Sequence, residues 1–375
     1  MPCRSHGALA LGSRSGTAAR RERRGAPAGG IQCFQDGEWH ARCLPKDGRA
    51  QRGLKMIDWS RTALLFPGQG SQAAGMALSF RRSYARAAEI FDIADQVYGE
   101  PFSQVFEDAA ALDQTENTQP ALYIAGLAAL RALETTLNDG QPLKPLAAAG
   151  HSLGEFTALT AAEALSLEDG LRLVRLRGQL MAQAGAAQRG AMAALLGAEI
   201  AEVRDICEAA SAKSGAPVVV ANDNCPGQVV ISGAESAVEA AIALAKARGI
   251  KRAVKLAVSV AAHSPLMQSA AEAFQQALES VTFRAPRFPV IGNTTAAPLT
   301  SPEAIMAELS AQLTGPVRWT ESIQALRALG ARTFLELGSK DVLTGLLKRI
   351  DREAEGVPIT DLVSLAAFIE RTKAS

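Results

Sequence analysis

The residues best placed for chemistry are Gly150-His151-Ser152-Leu153-Gly154, a G-x-S-x-G pattern that closes the small-residue run Ala147-Ala148-Ala149. Such a pattern marks a strand that turns sharply and passes at once into a helix. The flanking glycines permit the tight bend, and the serine hydroxyl is presented at its tip. A helix starting there aims unpaired N–H groups at whatever reacts with the serine, which suits developing negative charge. The surroundings agree: Pro142 and Pro145 close the preceding loop, and FTALTAAEAL after Glu155 has a helix-forming composition.

A serine hydroxyl is a poor nucleophile at neutral pH and needs a base within hydrogen-bond reach. Beyond residue 55 the chain holds only two histidines, His151 and His263. His151 adjoins the serine, where successive side chains point different ways, so His263 is the favoured base. A capping or core histidine is its alternative. No Asp or Glu between Ser152 and His263 stands out as a third member of a triad. Gln69, in the turn FPGQGSQ (66–72) after the apolar TALLF (62–66), sits where backbone N–H groups could line an oxyanion hole. A plain strand-to-helix turn explains it equally well. Arg177 lies in a helical pattern over 168–184 and precedes Gly178. Its planar guanidinium suits a carboxylate, although a surface arginine fits the same spacing.

The elements that must position these residues alternate between helical segments and short apolar strands, which predicts a parallel sheet with helices on both faces. Residues 190–258 change character. Strands at 190–197, 216–222, 228–233 and 251–258 and helices at 198–215 and 235–249 give a β-α-β-β-α-β order, the ferredoxin-like split βαβ unit. The expected organisation is a leader (1–55), a large hydrolase-like α/β unit in two parts (56–188 and 258–352), the inserted small unit (189–257) and a C-terminal helix or tail (353–375).

The chain has 375 residues, 48% hydrophobic and 21% charged, with a formal charge of +1. Residues 1–55 carry 11 Lys/Arg against 4 Asp/Glu, leaving 28 basic and 34 acidic residues in the remainder. That remainder offers no basic footprint for nucleic acid, and no apolar run reaches the roughly 18–20 residues of a membrane span. Cys3, Cys33 and Cys43 lie in the leader, while Cys207 and Cys225 lack metal-like spacing and read as reduced thiols. The leader's Arg, Gly, Ala and Ser bias argues against a packed core. Translation starting at Met56 fits it better than a transit peptide, since Asp36, Glu38, Trp39 and Asp47 interrupt any cationic amphipathic helix. A cytoplasmic location is expected, with the mitochondrial matrix the alternative.

Nine collinear segments resemble the malonyl-CoA:acyl-carrier-protein transacylase family. They are LFPGQGSQAAGMA (65–77), TQPALYIAGLAAL (118–130), AGHSLGEFTAL (149–159), VRLRGQLMAQA (174–184), GAMAALLG (190–197), NDNCPGQVVISG (222–233), VSVAAHSPLM (258–267), GPVRWTESI (315–323) and VLTGLLKRI (342–350). The resemblance spans about residues 61–352. It implies Ser152 as nucleophile, His263 as base, Arg177 as holder of the malonyl carboxylate, and Gln69 and Leu153 as backbone oxyanion donors. It also implies Asn224 and His151 lining the cleft and the Arg318 carbonyl orienting His263. A monomer acting on malonyl-CoA and holo acyl carrier protein, without metal or redox cofactor, follows from the same resemblance. Ala262 replaces the bulkier residue that malonyl-selective relatives often carry before the histidine, so a polyketide-type acyltransferase with relaxed extender choice is the alternative. A serine thioesterase or hydrolase is a more distant one. Gly338-Ser339-Lys340-Asp341 departs from the family's Gly-rich turn and implies a local surface change.

Overall fold

The computed structural model describes residues 57–374 apart from Ser259, so the expectations for the leader lie outside the described residues. In chain order the strands are β1 (Thr62–Phe66), β2 (Ala147–Gly150), β3 (Gly190–Leu196), β4 (Val218–Cys225), β5 (Gln228–Ala234), β6 (Arg252–Lys255), β7 (Val290–Ile291), β8 (Pro298–Leu299), β9 (Thr333–Leu337) and β10 (Glu355–Ile359). They form two sheets: a six-stranded one in the order β10-β9-β1-β2-β7-β8 and a four-stranded one in the order β4-β5-β3-β6.

The large sheet is parallel from β10 to β7, and β8 closes its edge antiparallel to β7. Every residue of β1 and β2 is buried, as expected for central strands covered on both faces. The alanines of β2 keep the side chains short, and Trp319, Phe334 and Leu347 fill the core over one face of the sheet. On the other side the helix Thr115–Leu137 is buried along most of its length.

The small sheet is wholly antiparallel, and its strand order is that of a ferredoxin-like unit. The helices Ile200–Ser214 and Glu235–Ala247 supply Val203, Ile206, Val238 and Ala241 to its core against Leu195, Val229 and Ile231. This unit is stitched to the large one: the Asp223 N–H donates to the Val317 carbonyl at 2.9 Å, and the Val317 N–H donates to the Ala221 carbonyl at 2.8 Å. Those bonds fix the wall of the cleft relative to the main sheet.

The C-terminal boundary differs from the expectation. Residues 353–375 are not merely a helix or tail, and the large unit does not end at 352, because β10 is the outer strand of its sheet and the helix Leu362–Ala374 follows. The EGVPI segment carries only two strand-forming residues, Val357 and Ile359, and contains Pro358, a residue tolerated mainly in edge strands, so its pattern is a weak signal. Strand β6 is also shorter than 251–258, ending at Lys255 before the chain turns toward His263.

Candidate active site

Strand β2 ends at Gly150, and the helix Gly154–Ala161 begins four residues later. A Cβ at Gly150 would lie 1.9 Å from the Gly154 carbonyl, and one at Gly154 would lie 2.0 Å from the Phe66 carbonyl oxygen. Both positions therefore exclude any side chain. Ser152, at the tip, has a φ of 51°, a left-handed conformation that is costly for a residue with a Cβ. Asn293 holds it there: its Oδ1 accepts from the Ser152 N–H at 2.6 Å, and its Nδ2 donates to the Gly150 carbonyl at 2.8 Å.

The Ser152 Oγ lies 2.8 Å from His263 Nε2. His263 is also left-handed, with φ 59°, and is buried. Its ring Nδ1 faces two carbonyl oxygens, Gln312 at 2.9 Å and Gly315 at 3.0 Å, and its backbone N–H donates to the Leu313 carbonyl at 3.0 Å. Carbonyls only accept, so Nδ1 carries the proton and the Nε2 lone pair of the neutral ring faces the serine hydroxyl. Burial, and then the charge of Arg177, push the His263 pKa down to about 3. The imidazole is thus held in the form that can take a proton.

Arg177, in the helix Leu167–Ala187, is buried rather than on the surface. Its Nη2 donates to the Ser152 Oγ at 3.1 Å and to Gln312 Oε1 at 3.0 Å, and its Nη1 donates to Gln119 Oε1 at 2.8 Å. Its Nε has no hydrogen-bond partner among the described residues. Burial pulls its pKa down to about 10. A buried cation with only neutral hydrogen-bond partners, touching the Ser152 hydroxyl, has charge left to pair with an anion.

A family model described as the acyl transferase domain matches residues 63–367. The malonyl CoA-acyl carrier protein transacylase of Bacillus subtilis is 40% identical over 316 residues, covering 84% of this chain and 98% of the relative. The solved acyl carrier protein S-malonyltransferase of Vibrio cholerae superposes with a TM-score of 0.78 at 42% identity, covering 82% of this chain and 99% of that one. The chain belongs to the malonyl-CoA:acyl-carrier-protein transacylase family. A further solved relative is a malonyl-transacylase in complex with a type II polyketide acyl-carrier protein. It has a TM-score of 0.78 at 37% identity, covering 83% of this chain and 99% of that one.

Two of the positions that the transacylase resemblance names would act through backbone N–H groups, Gln69 in the turn after β1 and Leu153 next to the serine. Among the described residues, the N–H groups of Gln69 and Leu153 have no hydrogen-bond partner. The Gln69 side chain turns away to Thr115 Oγ1 at 3.3 Å. The end of β1 abuts the elbow, since the His151 N–H donates to the Phe66 carbonyl at 2.9 Å. The His151 ring does not reach the serine; its Nε2 meets Asn224 Oδ1 at 2.9 Å and its ring lies 5.4 Å from that of Trp319. That pair ties the elbow to β4 of the small sheet.

The Arg318 carbonyl does not orient the histidine. It accepts from the Ser322 N–H at 2.9 Å at the start of the helix Trp319–Leu329, and the side chain pairs with Glu321. The carbonyls that hold His263 come from residues 312–315, where the helix Pro302–Gln312 ends and leaves acceptors without helical donors. The negative end of that helix also favours an imidazolium when one forms.

Four residues of this candidate site escape a motif-based reading: Gln119, Glu155, Asn293 and Gln312. Asn293 follows the short β7 in Gly292-Asn293-Thr294, a strand-end turn that could have drawn notice. Gln312 ends a helix with no local signature. Glu155 is fully buried, and burial followed by the charge of Glu308 pushes its carboxyl well above the usual range. Among the described residues no cluster of His, Cys, Asp and Glu could hold a metal ion, and no helix is long and apolar enough to cross a membrane.

Proposed function

We propose that this chain transfers a malonyl group from malonyl-CoA to the phosphopantetheine thiol of holo acyl carrier protein through a malonyl ester on Ser152. The observation that carries this reading is the convergence on one oxygen: Ser152 Oγ meets both the His263 Nε2 and the Arg177 Nη2. A base and a carboxylate receptor on the same nucleophile suit an acyl group with a free carboxylate at its far end.

In the first half-reaction the malonyl carboxylate takes Arg177, and His263 Nε2 removes the Ser152 proton as Oγ attacks the thioester carbonyl. The tetrahedral oxyanion is met by the N–H groups of Gln69 and Leu153, donors of a kind worth about 10²–10³ each in rate. The imidazolium, steadied by the Gln312 and Gly315 carbonyls, returns its proton to the departing CoA thiolate. In the second half-reaction His263 takes the proton of the carrier thiol, whose sulfur attacks the ester, and the proton goes back to Ser152 Oγ. The chemistry draws on side chains and backbone N–H groups alone. A cytoplasmic monomer is the setting that this reading assumes.

The test is a transfer assay with malonyl-CoA and holo carrier protein, run on the native chain and on Arg177→Ala. Transfer with parallel double-reciprocal plots is expected. The variant is expected to lose about 10–100-fold in malonyl kcat/KM, the scale of a hydrogen-bonded charge pair. Release of free malonate with no transfer, and indifference to Arg177→Ala, would make the enzyme a hydrolase.

A further inference from the structure

Glu155 lies three residues beyond the nucleophile, wholly buried, and both of its carboxyl oxygens accept hydrogen bonds inside the site. One takes the Gln312 Nε2, and the other takes the Asn293 N–H at 3.3 Å. The Gln312 amide is therefore gripped at both ends. Its nitrogen donates to Glu155 and, at 3.1 Å, to the Ser152 carbonyl, while its oxygen accepts from Arg177 Nη2 at 3.0 Å. A side-chain amide turned the other way would set its NH₂ against the guanidinium and its oxygen against two acceptors, so the sense of this amide matters. The Ser152 carbonyl alone is one acceptor for a group with two N–H donors; Glu155 supplies the second. The proposed transfer does not otherwise use this carboxyl.

We infer that Glu155 is a positioning residue that sets the orientation of Gln312 and, through it, keeps the Arg177 guanidinium aimed at Ser152, and thereby sustains the preference for acyl groups that carry a carboxylate. The inference rests on the reading of Arg177 as the malonyl receptor. It distinguishes three roles for a buried glutamate: an acceptor for Gln312, a source of negative charge, or a piece of packing. Glu155→Met keeps most of the volume and removes the acceptor and the charge. Glu155→Gln removes the charge and keeps one oxygen that can accept from Gln312 Nε2.

The experiment measures the ratio of malonyl to acetyl loading, as kcat/KM from malonyl-CoA over that from acetyl-CoA, with thermal melting beside it. Glu155→Met is expected to lower the ratio by about tenfold or more, as befits a weakened hydrogen bond to a charged group. Glu155→Gln is expected to recover most of the native ratio. A folded Glu155→Met protein with the native ratio would overturn the inference, and so would equal ratios for the two variants, which would assign the effect to charge. Should Glu155→Met fail to fold, Gln312→Met tests the same chain of contacts, because it keeps the backbone carbonyl on His263 and removes the side-chain link. It too is expected to lower the ratio, and an unchanged ratio there would overturn the inference. Absence of malonyl loading by the native chain would instead remove the underlying reading of the site.

Discussion

Ser152 and His263 meet across 2.8 Å and share a left-handed backbone, yet the chain holds them in place by different balances of local and distant contacts. The serine sits in a turn shaped by its own neighbours, since glycines at 150 and 154 leave no room for side chains and β2 and the following helix bracket it, and one distant side chain, Asn293, clasps that turn. The histidine is fixed from afar. It follows an irregular stretch, and its backbone and ring are gripped by carbonyls at the end of a helix some fifty residues later. The serine's turn is set chiefly by local chain geometry, whereas the histidine is held by tertiary contact throughout, and the two should break differently.

The largest effect is expected on the elbow. Gly150→Ala forces a Cβ into the Gly154 carbonyl, and should cost about 3 kcal/mol or more and abolish loading together. Chemical denaturation with a loading assay on the same sample checks both. His263→Ala should behave otherwise, keeping the fold and the Arg177 receptor while the acylation rate falls by about 10²–10⁴, as expected for loss of a general base. A stopped-flow acylation rate beside a melting curve separates it from the elbow variant.

The pH dependence sharpens the contrast. The His263 imidazole is pushed from an ordinary 6.5 to about 3, so kcat/KM should hold its value well below pH 6.5 before an acid limb appears. The same shift sets a sign for stability. Between these two values the unfolded chain binds a proton that the folded chain refuses, so this contribution to stability is intact above 6.5 and declines as pH falls toward 3. An acid limb centred at the ordinary imidazole value would show that the ring is not held in the buried carbonyl clamp seen here. The smallest effect is expected at Asn224, whose Oδ1 meets the His151 ring rather than either reacting group. Asn224→Ala should cost about 1 kcal/mol in stability and change acylation only a few-fold, readable from a melt and a steady-state assay.

The same contrast explains which features a reader of the sequence can find. The elbow carries its signature in five consecutive residues because its geometry is local. The β-α-β-β-α-β order of the small unit is equally visible, since alternating strands and helices follow from periodicity within each segment. The clamp on His263 has no such signature. Any residue type can present a backbone carbonyl, so Gln312 and Gly315 were not distinguishable from Arg318 by pattern. Asn293 and Glu155 become meaningful only once β7 and the elbow lie side by side. Strand β10 is hidden for a different reason, its Gly356 and Pro358 masking an edge position that pairing with β9 makes plain.

The most direct test is intact-protein mass spectrometry after brief exposure to malonyl-CoA, with peptide mapping and subsequent addition of holo carrier protein. A malonyl adduct on Ser152 that persists alone and clears onto the carrier thiol is the expected result. No adduct, or one on another residue, accompanied by steady release of free malonate, would contradict the central claim that Ser152, His263 and Arg177 together form a malonyl relay.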